Sequence, residues 1–126
     1  MSAAQPNEHA SSYADLDATD RALVDGFERQ TLQPASFRHR EHLHVAWCYL
    51  RMLPFEEAAA RFERHLVRYA NAHGASSKID LPLTWAYLGL VAEAIHADQR
   101  RAASFDELLE RHPDLLERRL SRARAE

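Results

Sequence analysis

His39-Arg40-Glu41-His42-Leu43-His44-Val45-Ala46-Trp47-Cys48-Tyr49-Leu50-Arg51-Met52-Leu53 carries the pattern that decides the fold. With Leu43 as origin and about 100° of turn per residue, Ala46, Trp47, Leu50 and Leu53 lie within about 80° of it, as on an amphipathic helix. His39 lies at about −40° on the same stripe, so the helix that buries these apolar side chains turns an imidazole inward with them. His42 sits at the stripe's edge, at about −100°, and His44 on the other flank, at about +100°.

The flanking sequence supplies further helices. Thr19 is the expected N-cap of a first helix running to about Gln30 and burying Leu23, Val24 and Phe27. Residues 31–38, with Pro34 and Ser36, read as a connection. Pro54 fits the first position of a third helix, where a missing N–H costs nothing. That helix continues through Phe55, Ala59, Phe62, Leu66, Tyr69 and His73 to Gly74, its expected left-handed cap. After a loop over 75–81, Pro82 opens a fourth helix with Thr84, Trp85, Leu88, Val91, Ala92 and Ile95 inward. Ser104 and Glu107 form a capping box for a short fifth helix. Pro113 ends it and leaves 114–122 as a separate final turn or two. No strand period, internal repeat or low-complexity tract interrupts the pattern. The expected fold class is all-α: an antiparallel helical bundle of four main helices plus a short C-terminal helical extension. Residues 1–16 read as a mobile N-terminal tail and 17–126 as a single helical domain.

Composition sets the outer bounds. A chain of 126 residues and 14.4 kDa can bury one core without disulfides or metal staples. No apolar run reaches the length of a membrane span, and Met1 to Tyr13 lacks the order of a signal peptide. The reading is a cytoplasmic protein with no membrane partner. A net charge of −3 and a pI of about 6.2 argue against a nucleic-acid partner. The late Arg118, Arg119, Arg122 and Arg124 alternate with Glu117 and Glu126 as a solvated helix end does. The single cysteine, Cys48, excludes an internal disulfide; at about 140° it is expected near the polar side of its helix, reduced and idle.

Short connections make successive helices antiparallel neighbours. The end of the first helix, the start of the second, the end of the third and the start of the fourth then meet at one end of the bundle. His39, His73 and Thr84 lie there on three separate helices, with Lys78 and Asp80 in the adjoining loop. Two helix N-termini at that end favour an anionic ligand and a neutral His39, the form that accepts a proton or binds metal. His39 and Asp80 are the candidate catalytic groups, and His42, His73, Lys78 and Thr84 the candidate ligand-binding ones. His39 and His42, spaced i, i+3, could grip a divalent metal with Asp80 as the preferred third ligand and His73 as the alternative. Structural roles compete: His73 as a helix cap, Thr84 bonding its own backbone, and Lys78 and Asp80 solvating a loop. Trp47, Trp85, Tyr69 and Tyr49 read as packing, and His65, His96 and His112 as edge or surface residues.

The run from Phe37 to Leu50 resembles a small all-helical bacterial family of unassigned function with the pattern F-x-H-x-x-H-L-x-x-A-W-x-Y-L. In that family a His-Gly pair precedes a lysine, then Tyr-His-Glu-Thr and a Thr/Ala/Trp cluster follow. Here His73-Gly74, Lys78 and Thr84-Trp85-Ala86 match, and Leu115-Leu116 with Arg118 echoes a later piece. The resemblance covers 37–91 and departs at Ile79-Asp80-Leu81-Pro82, which stands in place of Tyr-His-Glu-Thr. A site completed by that histidine and glutamate would be altered in this chain, with Asp80 the one obvious substitute. The resemblance implies no reaction or substrate.

Two functions follow. In the first, the bundle end is a small-molecule pocket, metal-assisted in one version. In the second, the domain is a non-enzymatic helical binding or homodimeric assembly module, with exposed Tyr and Trp edges at the contact. The chain has no Gly-rich phosphate loop, nucleophile elbow, HExxH or paired-Cys motif to name an enzyme class.

Overall fold

A computed structural model of the protein describes residues 16–99 and 102–117, and among them every regular element is helical. The α-helices are α1 (Ala18–Glu28), α2 (His39–Met52), α3 (Phe55–Ala72), α4 (Leu81–Ala97) and α5 (Phe105–Arg111). Short 3-10 segments at Pro34–Ser36, Ser76–Lys78 and Pro113–Glu117 punctuate them. Residues 1–15 and 118–126, the late arginines with them, lie outside the described residues; Leu16, expected in the mobile tail, is instead buried in the core, which begins one residue before the Asp17 cap.

The helix ends follow local chemistry, with small shifts from expectation. Asp17, rather than Thr19, caps α1: its carboxylate accepts from the Asp20 N–H at 2.8 Å, and the Asp20 carboxylate accepts from the Asp17 N–H at 3.2 Å. Two carboxylates at a helix start also suit the positive end of its dipole, which a threonine hydroxyl does not. Pro54 caps α3 from one position outside, and Asp80 caps α4 by accepting from the Leu83 N–H at 3.0 Å. Gly74 closes α3 with φ +69°, and a Cβ there would meet nothing within 4 Å. Its glycine therefore serves the left-handed backbone and not a close approach. At α5, Ser104 accepts from the Glu107 N–H at 3.1 Å, while Glu107 reaches past the cap to accept from the Ala103 N–H at 2.6 Å.

The central element is α2, against which α1, α3 and α4 all pack. Being covered from three sides, it buries Val45, Cys48 and Tyr49 as fully as the stripe residues Leu43, Ala46 and Trp47. Cys48 is thus at 0% exposure and not on the polar side its helical angle suggested, because α1 occupies that side. Phe27 of α1 fills the middle of the core, its ring 5.1 Å from that of Phe37, 5.4 Å from Phe62 and 6.1 Å from Tyr69.

A polar knot sits beside this aromatic centre. Glu28 accepts a very short hydrogen bond from the Tyr49 hydroxyl and a forked pair from Arg61 at 2.9 and 3.1 Å, with His65 Nε2 at 3.8 Å. Burial pushes the Glu28 carboxyl up, but the Arg61 and Tyr49 hydrogen bonds outweigh it and hold the group below its ordinary range. His65, read from sequence as an edge residue, is buried here, since α3 turns it toward Phe27 and Glu28.

The expected inward stripe of α4 is corrected at one position. Trp85 is exposed, its indole N–H donating to Glu63 at 2.8 Å and its ring edge-on to Phe55. Tyr87 takes the inward direction instead, beside His39 at 5.0 Å between ring centroids. An indole N–H needs a partner, and Glu63 on the outside of α3 supplies one that the core does not.

Candidate functional site

A cavity of about 630 Å³ opens at the end of the bundle where the starts of α2 and α4 meet the end of α3. Its inner wall is apolar, with Phe37, Leu43, Ala46, Phe62 and Leu66 buried. Its rim is charged: Arg38, Lys78 and Asp80 line it and are exposed. His39, His42, Thr84 and Tyr87 line it between the two. Three of these elements are brought together by the chain reversals at Gly74 and at the connection holding Pro34–Ser36.

His39 Nε2 is 3.2 Å from the Leu115 carbonyl oxygen, which docks the C-terminal 3-10 segment onto the start of α2. A carbonyl can only accept, so Nε2 carries a proton. His42 stacks on Phe37 at 4.2 Å. Burial, followed by the charge on His39, pushes its pKa down to about 4, against weaker opposing effects of Glu41 and the Phe37 backbone. It is therefore neutral near pH 7.

Asp80 and Thr84 serve the helix start as well as the rim. The Thr84 hydroxyl donates to the Asp80 carbonyl at 2.9 Å, which leaves the hydroxyl oxygen able only to accept from a ligand. His73 is placed elsewhere. Its Nε2 meets the Gln30 carbonyl at 3.1 Å and its ring packs on Tyr69 at 4.4 Å, outside the cavity lining. Gln30 adopts a left-handed φ of 61°, and His73 holds the carbonyl of that strained turn; this is why the ring faces α1 and not the cavity.

Among the polar lining residues, sequence reasoning gave no role to Arg38 and Tyr87. Arg38 precedes His39 and was counted with the connection, although its adjacency was signal enough. Tyr87 lies three residues after Thr84, on the same helical face. Its hydroxyl is buried and has no hydrogen-bond partner among the described residues. An orphaned phenol in a cavity wall is a group held ready for a ligand atom.

His39, His42 and Asp80, the expected metal set, line one cavity without converging their donor atoms. Among the described residues, the donors close enough to share one ion belong to Asp20, His44 and Cys48. His44 reaches Asp20 because α1 packs on the very flank that the helical wheel left outside, with Nε2 2.7 Å from Asp20 Oδ1. Burial, then the Asp20 carboxylate, raises the Cys48 pKa, so the group is a protonated thiol in the metal-free protein.

No helix among the described residues is long and apolar enough to cross a membrane. No protein-family model, curated protein or solved structure matches the chain significantly.

Proposed function

We propose that the cavity at the bundle end binds a small amphipathic organic anion. The observation that carries this reading is the division of one cavity into an apolar inner wall and a rim with Arg38 and Lys78. The N-termini of α2 and α4 flank the same rim and favour negative charge there. Tyr87 donates to the ligand from the wall, and His39 and Asp80 line the same cavity as the groups that would exchange a proton with it.

Calorimetric titration with straight-chain carboxylates of increasing length tests this. Each methylene that enters the apolar wall is expected to tighten binding about fourfold, at about 0.8 kcal/mol per CH₂, until the cavity is full. Lys78→Ala is expected to weaken every member of the series by a similar, salt-dependent factor. Affinity that ignores chain length, or a Lys78→Ala protein that binds unchanged, overturns the reading.

A second reading, a homodimer formed through α4, is favoured by a specific observation. From Leu81 to Ala92 the helix has no charged residue, yet Trp85 and Leu90 are exposed. Gly89 lies on this helix with no atom within 4 Å of where its Cβ would be, so nothing in the chain's own packing requires a glycine there. A mid-helix glycine costs about 1 kcal/mol against alanine, a cost that close approach of a second helix would explain. Light scattering is expected to give twice the chain mass, and Leu90→Glu the single mass. A native protein that is monomeric at high micromolar concentration excludes this contact.

A further inference from the structure

On the side of α2 facing α1, Asp20, His44 and Cys48 present a carboxylate, an imidazole and a thiol whose donor atoms all lie within 4.8 Å of one another. We infer that this trio is a thiolate-containing site for a divalent transition-metal ion, zinc above all, separate from the cavity and its ligand.

The donor set fits such an ion in type. A thiolate with an imidazole selects zinc and its neighbours over magnesium or calcium, which prefer all-oxygen shells. It also fits in charge. Thiolate and carboxylate together balance a divalent cation with the imidazole neutral, so the loaded site is uncharged overall, as a buried location demands. Binding releases the Cys48 thiol proton to solvent, and the proton that His44 Nε2 shares with Asp20 gives way to the metal while the neutral ring carries its proton on Nδ1.

The geometry is prepared by the fold. His44 and Cys48 stand i, i+4 on α2 and so share one helix face. Asp20 approaches from a second helix, its carboxylate oriented by the Asp17 N–H at 3.2 Å. The His44 ring is held by stacking on Phe105 at 4.6 Å and by the edge of Trp47 at 6.0 Å. His44 Nε2 and Asp20 Oδ1 are 2.7 Å apart. Ligands on a tetrahedral zinc at about 2.0–2.1 Å lie about 3.3 Å from one another, so a small rotation of the Asp20 carboxylate admits the ion. Three protein ligands leave a fourth position for water.

The chain has a single cysteine, which makes sulfur ligation a reporter for this one place. Titration of the tag-free full chain with cobalt(II) is expected to produce a sulfur-to-cobalt charge-transfer band in the near ultraviolet. The band should saturate at one equivalent and be bleached by zinc. Cys48→Ala, a small change at a buried position whose folding is checked by circular dichroism, is expected to abolish the band. His44→Gln and Asp20→Asn are expected to shift its titration at least tenfold to higher cobalt. Lys78→Ala, which weakens carboxylate binding at the cavity, is expected to leave the band intact, so the two sites fail or stand independently. Absence of the band in the native chain, its persistence in Cys48→Ala, or its indifference to both His44→Gln and Asp20→Asn overturns the inference.

Discussion

Phe27→Ala is expected to destabilise the protein by about 4 kcal/mol, within the usual 3–5 for a buried phenylalanine. Phe27 is fully buried, and its ring meets those of Phe37, Phe62, Tyr69, His65 and Tyr49, so α2, α3 and the connection before α2 all lose a contact at once. The void cannot close by simple collapse, because those partners are held in turn. Tyr49 donates to Glu28, and Tyr69 donates to the Leu32 carbonyl at 2.8 Å. A domain of this size has about 5–15 kcal/mol in total, so the loss is a large fraction of it. Denaturant unfolding should show a lower midpoint with an unchanged slope. The effect should also reach function: Phe37, Phe62 and Tyr69 line the cavity from its core side, and each leans on Phe27. A cost under about 1 kcal/mol would place the packing centre somewhere else.

Acid is expected to remove about 3 kcal/mol of stability between pH 6.5 and 4, through His42. Its pKa in the folded protein is pushed down to about 4 from an ordinary 6.5. Between those values the unfolded chain binds a proton that the folded one refuses, so falling pH favours unfolding. The contribution is fully present above 6.5 and lost as pH falls through 4. His65, held low mainly by burial, adds a loss of the same sign. Glu28 acts further down, because its lowered carboxyl stabilises the fold above the ordinary carboxylate range and ceases to as it protonates. His42→Leu keeps an apolar group against Phe37 and removes the titration. Its stability should fall less steeply across this window by about one proton, measured as urea midpoints against pH. An unchanged slope in His42→Leu would show that the ring is solvated in the folded state.

The acid response bears on the proposed ligand. A neutral His42 leaves the rim cations Arg38 and Lys78 to face an anion, and keeps the wall behind them apolar. Protonation of His42 would put a charge into that wall and open it to water. That charge by itself attracts an anion, so the expected loss of carboxylate binding below the same pH follows the loss of the fold.

Much of the bundle end was legible in the chain. His39, His42, Lys78, Asp80 and Thr84 were grouped from helical phase and short connections, and all five line one cavity. His73 was grouped with them because it occupies the last turn of its helix, which says at what level a side chain lies but not which neighbour it faces. The turn at Gln30, a local distortion in another segment, takes it away. Trp85 was turned inward because it stands on the helical stripe of Leu88, Ala92 and Ile95. Hydropathy scales the ring as core and cannot see that Glu63, one helix over, satisfies its N–H outside.

The sequence by itself determined where the helices start and stop to within a residue or two, and that His39, His42, Lys78, Asp80 and Thr84 collect at one end. Those features depend on chemistry within a turn or two of chain: Asp17 with Asp20, Pro82 after Asp80, Gly74 with its left-handed φ. The tertiary structure alone decided which flanks of α2 are buried. A helical wheel assumes one buried face, and three neighbours cover nearly all of this one. From that single difference follow the burial of Cys48, the meeting of Asp20 with His44 across 24 positions of chain, and the Glu28–Tyr49–Arg61 knot. Pairings between helices depend on how each is rotated about its own axis, and that rotation is set by how all the side chains pack together.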